Sequence, residues 1–226
     1  MALYENPFVN LTAFTLSMWV QTDTTNNVHT PFSYATVTVS DELYITVQPD
    51  KMEFWLHKRK GPSPITCMST IKMDQQKWFY YLYHFLHSDG ISSFIYFNEI
   101  PFVLDDQFHH ICVTWTNVDG KFSFYLDGIS KSQGTRRSGH VIQKGTVVLG
   151  QMQSSYKGGF ERVQSHQGKL TSVNMWDKVL TPNEVTTIAN KCSTAQGNVI
   201  KWSDFQNKIS GNAKMIYSRF CDGKLP

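Results

Sequence analysis

Histidine, cysteine and carboxylate residues are the side chains in this sequence that could do chemistry. His84 and His87, three residues apart, and the adjacent His109 and His110 could each supply part of a zinc site if a third ligand joined them. The chain has eight histidines, and such pairs are more often structural. Asp105-Asp106 precedes His109 and reads as a turn. Ser40-Asp41-Glu42 places two more carboxylates in a turn between two strand-like runs. The Gly-x-Ser-x-Gly nucleophile elbow and the His-Glu-x-x-His zinc pair are both absent. No enzyme, no native metal centre and no cofactor are expected.

Four cysteines, Cys67, Cys112, Cys192 and Cys221, allow two disulfides in three pairings. Asn10-Leu11-Thr12 is a glycosylation sequon. Together they favour an oxidising, extracellular setting. No apolar run approaches the ~18 residues of a membrane span, and no signal peptide is visible. The abrupt start suits a mature or excised domain. The net charge of +3 is too mild to argue for nucleic acid.

The elements that must position these residues are strands. The chain of 226 residues has 17% charged and 14% aromatic residues, against an ordinary charged share of about 25%. That balance suits one all-β domain with a large aromatic core. Its centre is Phe108–Gly128, in which two runs with period two surround the turn residues Asn117, Asp119 and Gly120, and Asp127-Gly128 closes the unit. Ile111, Val113 and Trp115 share one face, and Cys112 points to the other.

Further strands are expected at 10–21, 32–39, 43–47, 94–103, 145–150 and 168–176, and a last pair from 197 to near Cys221. The segment 151–167 reads as a polar loop. Trp78–His87 is apolar on every side, so periodicity does not separate helix from strand; its aromatic content favours strand. Thr181-Pro182-Asn183-Glu184 is a capping box with Pro at the first helical position, which predicts one short helix to about Asn190.

His110-Ile111-Cys112-Val113-Thr114-Trp115 resembles the pentraxin signature His-x-Cys-x-(Ser/Thr)-Trp, although Asn117 stands where the family has Ser or Thr. Leu149-Gly150-Gln151, Gly158-Gly159-Phe160-Glu161, Val173-Asn174-Met175-Trp176-Asp177 and Gly197–Trp202 continue the likeness in order, outside an atypical insertion at about 49–88. The resemblance implies an all-β fold: a two-sheet antiparallel jelly-roll sandwich of the pentraxin, concanavalin A-like kind, with one helix laid on it.

Pentraxins bind calcium through carboxylates and amides, and calcium takes about six to eight oxygens. Here Met152 and Ser154 occupy acid positions of that loop, and Ser40-Asp41-Glu42 replaces Asp-Asn-Glu. Among the matched ligand positions Asp41, Gln153, Glu161 and Gln164, only Asp41 and Glu161 are carboxylates. A broken two-ion site is therefore expected, with room for at most one weakly held calcium. Related jelly-roll glucanases carry a Glu-x-Asp-x-(x)-Glu cluster on one strand; no strand here has it.

In pentraxins the signature Cys pairs with one in an early strand, where this chain has Ser17. Cys112 is then free or paired elsewhere. A Cys192–Cys221 bridge would close the C-terminal segment, and a Cys67–Cys112 bridge would pin the insertion; the alternative for that second pair is two buried free thiols. The dense aromatics of the insertion are either added core or a self-association surface, for which a two-fold dimer is the commonest symmetry.

These departures resemble the pentraxin-like domain of adhesion G-protein-coupled receptors of the G subfamily. The function expected is a non-enzymatic extracellular recognition or adhesion module at the cell surface, contacting a protein or glycan ligand and associating with itself. The alternative is a secreted calcium-dependent pentraxin, and a jelly-roll glycosidase is a third reading.

Overall fold

The computed structural model describes residues 1–24, 28–56, 100–102, 104–190 and 195–216. The chain divides into two compact units, Met1–His57 with Phe97–Pro226, and Lys58–Tyr96. The second unit lies outside the described residues, and so do Trp78–His87, Cys67, Cys192 and Cys221.

The first unit is a sandwich of antiparallel sheets. Its strands are β1 (Ala2–Glu5), β2 (Asn10–Leu11), β3 (Ala13–Thr22), β4 (His29–Thr36), β5 (Leu43–Val47), β6 (Lys51–Leu56), β7 (Ile100–Pro101), β8 (Phe108–Thr116), β9 (Lys121–Leu126), β10 (Ile129–Thr135), β11 (Ile142–Gln143), β12 (Gly145–Leu149) and β13 (Gly168–Trp176). Among the described residues one sheet runs β1-β12-β4-β5-β6-β7 and the other β10-β9-β8-β3-β13, with β11 and β2 forming a small third pair.

The jelly-roll sandwich expected from the sequence is the fold observed. Period two places Phe14, Leu16, Met18 and Val20 of β3 inward with Ile111, Val113 and Trp115 of β8 and Phe122 and Phe124 of β9. They meet Phe32 and Tyr34 of β4, Ile45 of β5, Phe54 of β6 and Val147 of β12. Phe14 packs against Trp115 with ring centroids 5.8 Å apart and against Phe54 at 6.3 Å. Each such fully enclosed side chain contributes on the order of 1.5–3 kcal/mol by leaving water.

The opposite face of the five-stranded sheet carries a second, smaller core: Cys112, Tyr125, Trp176, Leu180 and Val185. Its cover is the helix α1, Pro182–Asn190. The helix begins where the capping box places it. Thr181 Oγ1 accepts the Glu184 N–H at 3.3 Å, and the Thr181 N–H donates to the Glu184 carboxylate at 2.7 Å. Gly128 lets the helix sit close: its φ is +77°, and a Cβ there would come within 3.0 Å of the Ala189 Cβ.

Lys51–Leu56, at the start of the segment read as an atypical insertion, pairs along its length with Leu43–Val47 as an ordinary sheet strand. Three local expectations change. The expected strand at 10–21 is two, β2 and β3, with Thr12 between them. Ile129–Thr135, not expected as a strand, pairs with β9 through a register shift at Ser130/Ser132; it is an edge strand in which Ser132 alone is buried, so it lacks the apolar alternation that reveals a strand. Among the described residues the strand pair expected from Gly197 reduces to two isolated bridges, Met175 to Ile200 and Ala2 to Ile209, with a 3-10 turn at Trp202–Phe205 between them. Gly197 sits so close to the backbone that an added Cβ would meet Ile200 O at 2.1 Å and Met175 O at 2.3 Å; this approach leaves no room for a regular partner strand.

Candidate functional site

Two places hold the side chains singled out by the sequence: the signature strand β8, and the loop from Gln151 to Gln167 with the turn at Ser40–Glu42. On β8 the signature residues are structural. Trp115 is wholly buried, and its Nε1–H donates to the Arg136 carbonyl at 2.8 Å. Thr114 is buried and lies in register between Thr15 and Ser123. Cys112 is a buried free thiol beneath α1, and burial pushes its pKa well above the usual thiol value, which disfavours the thiolate. Cys67, the partner expected for Cys112, lies outside the described residues, and so does the Cys192–Cys221 pair.

His110 Nε2 and Ser17 Oγ are joined by a 2.8 Å hydrogen bond. A nucleophile and base in contact are two parts of a hydrolytic triad. Here His110 Nδ1 is buried without a partner, and both residues are shut from solvent. Among the described residues the orienting acid and the substrate access that a triad needs are both lacking. Burial lowers the His110 pKa to about 4, with nearby Asp127 pulling the other way, so the ring is neutral near pH 7.

Its neighbour His109 has the opposite character. Nδ1 lies 2.8 Å from Asp127 and Nε2 3.2 Å from Asp105. The bond to Asp127 raises its pKa, partly offset by burial. A cavity of about 460 Å³ opens beside it, walled by Pro49, Pro101, Phe102 and Leu126 and edged by Asp50 and Asp105. Among the described residues no group of three His, Cys, Asp or Glu side chains is arranged to hold a metal.

The loop carries the positions expected to matter for calcium. Gln153 is wholly buried. Its Nε2 donates to the Thr146 carbonyl at 3.0 Å and lies 3.3 Å from the Ser33 carbonyl, while its Oε1 accepts the Lys157 N–H at 3.2 Å. The amide nitrogen thus ties the loop to β4 and β12, and the amide oxygen braces the loop against itself at Lys157. Glu161 is exposed, at the start of a 3-10 turn over Arg162–Gln164. The Gln164 side-chain oxygen is buried and unpartnered. Asp41 is half-buried in its turn, and the adjacent Glu42 is buried, in contact with His140 and 3.9 Å from Arg137. Calcium needs several charged oxygens converging on one point. The thioether of Met152, the exposed hydroxyl of Ser154 and the inward turn of Gln153 do not fit a pair of calcium ions.

Sequence reasoning missed the role of Asn174. Its Oδ1 accepts the Gly197 N–H at 3.1 Å and its Nδ2 donates to the Ser172 carbonyl at 2.9 Å, holding the bulge of β13 against the C-terminal segment. No local pattern signals this, because the partner is more than twenty residues away.

A sequence model of the Pentaxin family matches residues 92–216, more than half of the chain. The chain belongs to the pentraxin family. It is 34% identical to human neuronal pentraxin-1 over 206 residues, covering 89% of this pentraxin and 39% of that protein. It is 30% identical to neuronal pentraxin-2 of Cavia porcellus over 218 residues, covering 95% of this chain and 43% of that one. The pentraxin therefore spans less than half the length of these relatives. Among solved structures it resembles the native heptameric SAP-like pentraxin from Limulus polyphemus, with a TM-score of 0.66, 24% identity, and 90% and 82% of the two chains covered. The full extracellular region of zebrafish Gpr126/Adgrg6 also shares the fold, with a TM-score of 0.54, 16% identity, and 89% and 23% covered.

Proposed function

We propose that this pentraxin domain is a non-enzymatic extracellular recognition module, part of a larger cell-surface receptor, that meets a protein or glycan ligand through surface contacts without bound calcium. The observation that carries this reading is Gln153. The amide that would face an ion is turned into the protein and bonded at both ends, while Met152 and Ser154 stand where acids would be needed. The fold shared with a receptor's extracellular region supports the receptor setting.

In this reading the domain self-associates, a two-fold dimer being the simplest closed arrangement, and the chain is one pentraxin domain carrying an insertion before the signature strand. Titration calorimetry with calcium tests the central claim: binding of two ions near millimolar calcium discards it. Light scattering with and without chelator tests the association, and a strict monomer removes it.

A second reading is a secreted, calcium-dependent ligand-binding pentraxin. The 34% identity to neuronal pentraxin-1 favours it, and the same calorimetry separates the two.

A further inference from the structure

The Asn10-Leu11-Thr12 triplet lies on β2 and the residue after it, at one end of the sandwich. Leu11 is 2% exposed and belongs to the main core, so strand alternation turns Asn10 and Thr12 outward, and both are exposed. The Asn10 side-chain amide has no hydrogen-bond partner among the described residues. Exposed apolar residues lie at the same end of the sandwich. Val9 precedes it at 73% exposure. Val141 follows from the register, because Ile142 pairs with Leu11. Val118 is 85% exposed in the β8–β9 turn, whose Asn117 N–H bonds the Thr12 carbonyl at 2.8 Å. An acceptor asparagine thus points to solvent at an end of the sandwich that carries three exposed valines.

We propose that Asn10 carries an N-linked glycan, and that this glycan covers the apolar end of the sandwich and closes it to protein contact. The acceptor motif needs the Thr12 hydroxyl, and the product is bulky, polar and confined to a surface; an inward Asn10 could not hold it. In the transfer, the Asn10 amide nitrogen bonds to the anomeric carbon of an oligosaccharide carried on a lipid pyrophosphate. The carbon–oxygen bond to the pyrophosphate breaks, the lipid pyrophosphate leaves with that electron pair, and an amide proton passes to a base of the transferase. The proposal rests on the extracellular reading, since the donor is met on the secretory route. Its consequence is that any self-association uses another face.

The test expresses the full chain with a secretion leader in eukaryotic cells and weighs it before and after enzymatic release of N-glycans. The expected result is loss of one glycan from the wild type and from Thr12→Ser, and none from Asn10→Gln or Thr12→Val. Glycan release from the folded protein should also raise the fluorescence of a hydrophobic dye, and unchanged fluorescence overturns the covering role. A wild type that is secreted without a glycan overturns the proposal and leaves the extracellular reading standing. A wild type that never leaves the cell, beside a secreted control, overturns both.

Discussion

Ser17 and Cys112 stand directly opposite each other in the β3–β8 pair. Both are buried. Pentraxins resembling this chain link an early strand to the signature strand by a disulfide; here the site holds one thiol and one hydroxyl, and the hydroxyl bonds His110 instead.

Ser17→Cys should therefore close a disulfide with Cys112. The bridge would enclose about 95 residues, for which chain entropy suggests roughly 4–5 kcal/mol of stabilisation. Losing the Ser17–His110 hydrogen bond would return about 1 kcal/mol of it. Thiol counting under denaturing conditions, with the thermal midpoint before and after reduction, measures both. A variant that keeps the Cys112 thiol in oxidising buffer would show that the opposed backbone does not allow disulfide geometry.

The helix that covers Cys112 depends on its first turn. Thr181→Ala removes the cap and should cost about 1 kcal/mol. If α1 opens locally, Cys112 should react with a thiol reagent roughly fivefold faster, the factor for that energy. Unchanged reactivity would mean that Cys112 is reached only by global unfolding.

Acid should destabilise the domain through His110. Its folded pKa of about 4 lies below the ordinary ~6.5 of an exposed histidine. The unfolded chain therefore binds the proton first: the stability is complete above about pH 6.5 and falls as pH drops towards 4. The loss approaches about 3 kcal/mol at its limit. His109 opposes this, because its raised pKa adds stability at low pH that is lost as pH rises through that value. Urea midpoints between pH 7 and 4 should decline in the wild type and decline less steeply in His110→Asn, the remainder coming from His166, whose pKa burial also lowers to about 4. Equal slopes would assign the acid response elsewhere.

Restoring the missing acids should recover an ion response. Met152→Glu with Ser154→Asp returns two carboxylates to the loop, and Ser40→Asp adds a third in the Ser40–Glu42 turn. The expected outcome is a thermal midpoint that rises with calcium and falls with chelator, about 2.7 kcal/mol at one hundred times the dissociation constant. A triple variant indifferent to calcium would mean that the inward Gln153, and not the lost acids, is what disables the site.

Strands β8, β9 and β13 and the capping box of α1 were legible because each is written in residues a few positions apart: alternation of Ile111, Val113 and Trp115, or Thr181 with Glu184. The loss of acids at Met152 and Ser154 was legible only through the resemblance to pentraxins, which marks those positions as acidic in the family. The edge strand β10 was hidden because Ile129–Thr135 has almost no apolar alternation, and its pairing comes from β9. Gln153 could be read as a ligand position but not as a staple. Its direction depends on carbonyls of Ser33 and Thr146, one of them 120 residues away. Residue type and local period thus declare which elements form and which charges exist. Which way a polar side chain turns, and whether Gly197 leaves space for a strand, depends on backbone that only the closed sandwich brings near.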